Sequence, residues 1–319
     1  MSSNRFDRNW RRPQKNHAAG PHPKLAKNYS PASRSQSNGF ETFAVACGQS
    51  KPHNRSVVTN PWLQRIRRAQ QLADQHPFAG EILGFYVHVA RFQQGIYQRL
   101  QPVSANSSAR LPDRPEFAEL LGSFPEFLSL VEGKAPAQFA QVARELRNSA
   151  PGSWPDLLNH CWSNSGDAPA DPQEFLASAF LQPYAESVRT CSRLQLEGYT
   201  HPLCPFCSRK PAVGVLRQLG DGARRNLFCG FCLCEWEFRR VVCPACGEEN
   251  QTKLPVYTAE QFPHMRVECC DTCHTYIKST DLTKNGLADP LVDELASVPL
   301  DLWAREHEYE KLRPNLFGM

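Results

Sequence analysis

The spacing of apolar residues divides the chain into a helical part and a β-rich part. From residue 61 to about residue 192, apolar side chains recur at the three- and four-residue intervals of amphipathic helices, as at Leu63, Ile66 and Ala69. Alternation typical of strands is scarce before residue 200. The pattern therefore predicts one helical domain over residues 59–195.

Prolines and one serine predict how these helices begin, break and bend. His76 precedes Pro77, and a residue before proline avoids helical backbone angles, so a break between two helices is expected there. Ser153 is predicted to cap a helix that has Pro155 in its first turn. Pro183 should bend the helix that follows residue 171.

After residue 200 the pattern changes to short β-type runs separated by turn residues. The runs are AVGVLRQL, EWEFRRVV and HTYIKS. Helical spacing returns after residue 286 and predicts a final helix with an interruption at Pro299. The predicted fold is therefore an α+β multidomain protein, in which the helical domain is followed by two tandem β modules and a C-terminal helix.

Cysteine spacing indicates what the β modules contain. Four Cys-x-x-Cys pairs occur, and the intervals between the first two and between the last two are 21 and 23 residues. Two such pairs at this separation are typical of a tetrahedral site with four thiolates, as in zinc ribbons. Sequential pairing predicts two metal sites, the first formed by Cys204, Cys207, Cys229 and Cys232, the second by Cys243, Cys246, Cys270 and Cys273.

An internal repeat favours sequential over interleaved pairing of these motifs. CPFC and CPAC begin 39 residues apart, and Cys229 aligns with Cys270 while Trp236 aligns with Ile277. Gly247, directly after a Cys-x-x-Cys pair, suits a left-handed backbone conformation. The repeat predicts a first ribbon over residues 196–242, a second over 243–283, and a C-terminal helix and tail over 284–319.

A closed shell of four thiolates leaves no position for a substrate, so we expect a metal that is not catalytic and a protein that is not an enzyme. Zinc and iron both suit such a shell, one ion per ribbon. A dithiol catalyst is the alternative, but four pairs arranged in twos within turn-rich β structure argue against it. Cys234 and Cys269 are left over, either as small core residues or as extra ligands or exchange thiols.

Charge is concentrated at the start of the chain. Residues 1–58 carry ten Lys or Arg against two acidic side chains, which predicts a disordered basic leader, with contact to nucleic acid or an anionic membrane as the alternative. Residues 201–283 carry ten basic and nine acidic side chains, which argues against a nucleic-acid-binding zinc ribbon. No apolar run is long enough to cross a membrane, and none follows Arg11-Arg12 as an export signal requires. We therefore expect a cytoplasmic protein, where clustered cysteines are more often metal ligands than disulfides.

These motifs and their surroundings resemble the FdhE-type accessory proteins of formate dehydrogenase. The resemblance rests on CPFC, FCGFCLCEWEF, CPAC and CDTCHTYIK, on the helical stretch LADQHPFAGEILGFYVHVARFQQ, and on the ending HEYEKLRPNLFGM. It extends from about residue 61 onward. The departures are the basic leader, Cys234, Cys269, and His274 after the last predicted ligand.

The resemblance implies a function that the residues alone do not indicate. Proteins of this type are cytoplasmic factors needed for active respiratory formate dehydrogenase; they bind its molybdopterin-containing catalytic subunit before export and are not enzymes. Their ribbons are rubredoxin-like and associated with iron, and the same eight cysteines would be the ligands here. The exposed part of EWEFRR is our hypothesis for a contact patch, because Trp and Arg are enriched at binding hot spots. A rubredoxin-like electron carrier and a nucleic-acid-binding zinc ribbon remain alternatives.

Overall fold

The computed structural model describes residues 10–11, 61–100, 118–150, 152–164, 171–192, 194–315 and 317–318. Within these ranges, seven helices precede the strands of the cysteine-rich region, and two further helices follow them. This confirms the predicted α+β class. Apart from residues 10–11, the leader lies outside the described residues, so its predicted disorder stays a prediction, as do the domain limits.

The helical domain has a core of large aromatic side chains. Phe124, Phe127 and Phe180 are completely buried and contact one another, with ring centroids 4.8–6.4 Å apart. Burial of such rings supplies much of the apolar area that stabilises a domain. The helices are α1 (Pro61–Gln75), α2 (Gly80–Arg99), α3 (Ala118–Leu121), α4 (Phe124–Lys134), α5 (Ala137–Asn148), α6 (Ser153–Ser163) and α7 (Pro172–Cys191).

The predicted break at His76-Pro77 is confirmed, because α1 ends at Gln75 and a 3-10 turn precedes α2. The predicted cap at Ser153 is wrong. Ser153 is already the first residue of α6, and its hydroxyl donates backwards to the carbonyl of Ala150 at 2.7 Å, so it does not accept from the helix. Asp171, by contrast, caps α7 by accepting from the backbone N–H of Gln173 at 2.8 Å.

The strands form one sheet and not two separate ribbons. Their order is β1-β5-β6-β7-β2-β3-β4, with β8 pairing β7. Parallel pairing between β2 and β7 joins the first module to the second, with Gly214 opposite Ser279. The strands are β1 (Trp10–Arg11), β2 (Val213–Leu219), β3 (Gly222–Phe228), β4 (Glu235–Glu237), β5 (Val256–Ala259), β6 (Phe262–Cys270), β7 (Thr275–Asp281) and β8 (Glu310–Lys311).

The internal repeat is present in the strand register. Leu227 of β3 pairs with Trp236 of β4, and at the equivalent place Glu268 of β6 pairs with Ile277 of β7. Trp236 and Ile277, which the sequence aligns, are both buried. Each module is therefore an antiparallel hairpin followed by a third strand.

The predicted C-terminal helix is two helices, α8 (Pro290–Ala296) and α9 (Val298–Glu306). The interruption falls at Ser297, and Pro299 lies in the first turn of α9, where its missing N–H costs nothing. α8 lies between the helical domain and the sheet, and its buried acidic side chains pair with basic residues of both. Asp293 bonds Arg68 of α1 and His264 of β6, while Glu294 pairs with Lys278 of β7.

Candidate metal centres

The four Cys-x-x-Cys motifs form turns of one kind, which we call knuckles. In three of them the N–H of the first cysteine donates to the carbonyl five residues later, from Cys204, Cys229 and Cys243 at 2.8–2.9 Å. The carbonyl acceptor for Cys229 belongs to Cys234. This cysteine, which is in no Cys-x-x-Cys pair, therefore stabilises the knuckle through its backbone. The shared bonding shows that the repeat extends from sequence into backbone geometry.

The residue after the second cysteine of every knuckle has a left-handed backbone. The φ angles are 57° at Ser208, 58° at Leu233, 79° at Gly247 and 55° at His274. This confirms the expectation for Gly247 and extends it to three residues that are not glycine. Left-handed angles are unfavourable for such residues, so the knuckle geometry stores strain that another interaction must offset.

The first cluster brings together the sulfurs of Cys204, Cys207, Cys229 and Cys232, as the sequential pairing predicts. The Sγ atoms of Cys204 and Cys232 are 3.5 Å apart, and those of Cys207 and Cys229 are 3.4 Å apart. A disulfide would need about 2.05 Å, whereas metal–sulfur bonds of about 2.3 Å in a tetrahedron place the sulfurs about 3.8 Å apart. The spacing fits metal ligands far better than a disulfide.

The second cluster joins Cys243, Cys246, Cys270 and Cys273. Sγ separations are 3.7 Å between Cys243 and Cys273 and also 3.7 Å between Cys246 and Cys270. These separations match the tetrahedral value even more closely. Each cluster thus contains two knuckles of a single module, one before its hairpin and one after it.

The first cluster is embedded in the core that the helical domain shares with the first module. Phe231, inside the second knuckle of this cluster, packs edge-on against Trp162 of α6 at 5.9 Å. The guanidinium of Arg209 lies over the same phenylalanine ring at 3.4 Å. Helix α7 contributes Gln182, which donates to the carbonyl of Gly230, and Arg189, which donates to that of Cys232. These contacts hold the cluster against the helices.

The two clusters differ in their exposure to solvent. No side chain of the first cluster is more than 4% exposed. In the second, Cys243 and Cys270 are buried, but Cys246 is exposed and Cys273 is half-buried. The cause is visible in the residue before the second cysteine of each knuckle, which is a buried Phe206 or Phe231 in the first module but an exposed Ala245 or Thr272 in the second.

Burial governs the acidity of the sulfurs. It raises the pKa of Cys204, Cys207 and Cys232 well above the ordinary value of a thiol. Burial opposes ionisation of Cys229 too, but hydrogen bonds from the other three cysteines lower its pKa well below that value. Four thiolates can therefore share this dry site only when a cation balances them, which is the condition that a metal ion meets.

The leftover residues lie beside the clusters without joining them. Cys234 is buried in the main core, and Cys269 is buried in a second core with Met265. Burial raises the pKa of the Cys269 thiol, as expected for an inert core cysteine. His274 is exposed, and Trp236 is buried with its ring N–H donating to the carbonyl of His201 at 3.0 Å. Trp236 therefore takes no part in a surface contact patch.

A cavity that no sequence motif predicts lies beside the second cluster. Its volume is about 180 Å³, and it is lined by Cys243 and Cys270, by the free Cys269 thiol and by the buried Arg225. The Arg225 guanidinium pairs with Glu268 at 2.7 Å, which joins β3 of the first module to β6 of the second. Exposed residues, among them Val241 and Ala245, also line this cavity, so the second cluster borders open space near the surface.

The protein is thus of a class with a helical domain packed on one sheet of two tandem modules, each module holding a cluster of four cysteines that could bind a metal ion. Residues 203–240 match the family model described as FdhE, central domain, and residues 241–317 match the one described as FdhE, C-terminal domain. Both models describe the FdhE family, so residues 203–317 match that family along their whole length.

Relatives match well beyond these two domains. The protein named Protein FdhE homolog from Aquifex aeolicus is 27% identical, over 79% of this chain and 94% of its own. The homolog from Pseudomonas aeruginosa is 28% identical, over 85% and 94%. The crystal structure of the FdhE protein from Pseudomonas aeruginosa matches with a TM-score of 0.59 and 26% identity, over 80% of this chain and 95% of that one. The match to the helical part agrees with the resemblance found in the sequence.

Proposed function

We propose that the protein binds two metal ions, iron or zinc, one in each four-cysteine cluster, and that the eight grouped cysteines are the ligands. Support comes from sulfur separations of 3.4–3.7 Å, close to those of a tetrahedral thiolate shell. Bound metal would stabilise the ribbons and offset the left-handed backbone of the knuckles. This pair of closed clusters is the observation that carries the proposal.

The same proposal makes the protein a cytoplasmic accessory factor and not an enzyme. A shell completed by four protein sulfurs has no position for substrate, so binding and folding are the roles open to it. The matches to the FdhE family suggest the partner, which we propose is the catalytic subunit of formate dehydrogenase. Among helices in the described ranges, none has both the length and the apolarity that a membrane span requires.

A groove of about 720 Å³ between α2, α5 and α9 is the surface we assign to this client. Phe78 and Leu302, two large apolar side chains on its lining, are 53% and 54% exposed. Contiguous exposed apolar patches mark interaction sites more often than accidents. The exposed part of EWEFRR, which includes Glu237, Arg239 and Arg240 but not the buried Trp236, remains the alternative contact surface.

The test is anaerobic purification followed by metal analysis and identification of co-purifying proteins. We expect two ions per chain and capture of the formate dehydrogenase catalytic subunit. The double variant Phe78→Ala/Leu302→Ala should keep both ions and lose the subunit. The control Leu287→Ala, at an exposed leucine that does not line the groove, should keep both ions and the subunit. A metal-free, fully folded protein would refute the metal assignment, and capture by the double variant would refute the groove.

Single ligand substitutions test which sulfurs share an ion. Cys204→Ser and Cys243→Ser should each lose one ion, because each removes a ligand from a different cluster. The double variant should lose both. Two ions retained in the double variant would contradict the grouping.

An electron carrier is the second function that an iron form would permit. Thiolate-bound iron exchanges one electron, and the exposed Cys246 would give a partner access to the second cluster. Visible absorbance that bleaches on reduction would favour this function. A colourless protein with two zinc ions would exclude it.

A further inference from the structure

The unequal surroundings of the two clusters lead to an inference that rests on the proposed metal binding. Every ligand of the first cluster is nearly inaccessible, at 0–4% exposure, and its knuckles are packed against α6 and α7. An incoming ligand can reach an ion there only if part of the main core opens. Opening of a well-packed core requires a free energy approaching that of global unfolding.

The second cluster needs no such opening. Cys246 is exposed and Cys273 is half-buried, and the neighbouring positions Ala245, Gly247 and Thr272 are exposed as well. Its two buried ligands, Cys243 and Cys270, line the cavity of about 180 Å³. Two ligands are therefore within reach of solvent and the other two border the cavity, so little packed side chain has to be displaced.

We propose that the second cluster is an exchangeable metal site and that the first is a permanent structural one. Cys246 is the sulfur that leaves first, because it is the exposed ligand. The acceptor or donor of the ion is a soft chelator, such as a thiol on a small molecule or on another protein. The protein would then accept or deliver one ion while its fold stays intact.

The exchange is a ligand substitution without electron transfer. A sulfur of the incoming thiol forms a bond to the ion while the bond from the Cys246 sulfur breaks. The proton lost by the incoming thiol goes, through water, to the Cys246 thiolate. Repetition at Cys273, Cys270 and Cys243 completes the transfer, so that four protons are exchanged and no oxidant or reductant is needed.

The test follows zinc release from the zinc-loaded full chain into excess colorimetric chelator. We expect two phases of one ion each, with rates that differ at least about tenfold, a barrier difference of about 1.4 kcal/mol. Alkylation of freed thiols during the reaction, followed by peptide mapping, assigns each phase. Cys246 and Cys273 should be labelled in the fast phase, and Cys204 and Cys232 only in the slow phase.

Matched variants at equivalent places in the repeat provide the controls. Cys246→Ser should abolish the fast phase and keep the slow one. Phe231→Ala should accelerate the slow phase because it removes packing over the first cluster. Thr272→Ser, at the equivalent knuckle position, keeps the hydroxyl that bonds Glu248 and should change neither phase. Mapping on the unaltered chain keeps the test valid even if Phe231→Ala fails to fold.

The outcomes separate this inference from the metal assignment. Release of both ions at one rate, or earlier labelling of Cys204 than Cys246, would overturn the inference and leave the two-ion protein standing. Purified chain that takes up fewer than two zinc ions would instead overturn the metal assignment on which the inference rests.

Discussion

At the scale of single residues, Gly214 shows how one missing side chain lets two modules share a sheet. A Cβ placed on Gly214 would lie 2.1 Å from the Oγ of Ser279 and 3.1 Å from its Cβ. Both residues belong to the β2–β7 pairing that joins the modules. A side chain on Gly214 would force Ser279, or the strand that carries it, to shift.

Gly214→Ala should therefore lower the free energy of unfolding by about 1–3 kcal/mol, the usual cost of overpacking a buried site. Denaturant titration measures it. Ser279→Ala in the same background should recover part of the loss, since it removes the closer of the two clashing atoms. An unchanged denaturation midpoint for Gly214→Ala would contradict the tight packing of Gly214 against Ser279.

At the scale of elements, the knuckle is the unit that the chain repeats. Its left-handed position is glycine only at Gly247, where φ is 79°. Elsewhere the knuckles tolerate side chains at the same kind of angle, at a cost of about 1–2 kcal/mol for each non-glycine residue. Metal binding and the knuckle hydrogen bonds must offset that cost together.

Gly247→Ala should lower stability by about 1–2 kcal/mol through this backbone penalty alone, because nothing lies within 4 Å of the added Cβ. Gly133→Ala is the control, since that site is equally open but lies in α4. There the substitution should stabilise by up to about 1 kcal/mol. Denaturation at full metal occupancy compares the two, and equal effects would contradict the left-handed strain.

The knuckle also shows where prediction from sequence succeeds and where it fails. Cys-x-x-Cys spacing is local and repeated, so it predicted which sulfurs lie together. The β2–β7 pairing joins strands that are far apart in the sequence, and no repeating pattern marks it. The need for glycine at position 214 is apparent only once Ser279 is known to lie opposite. The difference in exposure between the two clusters is visible in the sequence as phenylalanine at positions 206 and 231 but Ala245 and Thr272 at the equivalent positions. The sequence does not show, however, that helices pack over the first module only.

At the scale of the whole molecule, Asp293 connects three parts of the chain. Its carboxylate accepts from Arg68 of the helical domain and contacts His264 of the sheet at 2.7 Å. Burial alone would raise the pKa of Asp293, but the bonds from His264 and Arg68 bring it below the ordinary value of 3.8. A lowered pKa in the folded state means that the charged form stabilises the fold.

Asp293→Ala should cost about 3–5 kcal/mol, because it leaves the buried Arg68 charge without its partner. Urea denaturation measures this loss. Arg144→Ala, which breaks an exposed pair with Glu132, should cost no more than about 1 kcal/mol. Comparable losses in the two variants would mean that α8 does not hold the parts together.

The same carboxylate predicts a pH dependence. Its stabilisation is fully present above pH 3.8, the ordinary pKa, and is lost as the pH falls through the lower folded value. Unfolding free energies measured from pH 6 downward should therefore decline more steeply below about pH 4 in the unaltered chain than in Asp293→Asn. Parallel curves would exclude a contribution from Asp293.

The join between the modules also has a bearing on aggregation. In an isolated first module, β2 would expose unpaired backbone N–H and C=O groups. In an isolated second module, β7 would expose such groups from Ser279 to Asp281. Unprotected edges of this kind recruit other chains. In the whole chain each module covers the edge strand of the other. Either module, produced as a separate fragment, should therefore self-associate through its exposed edge strand, even with its ion bound.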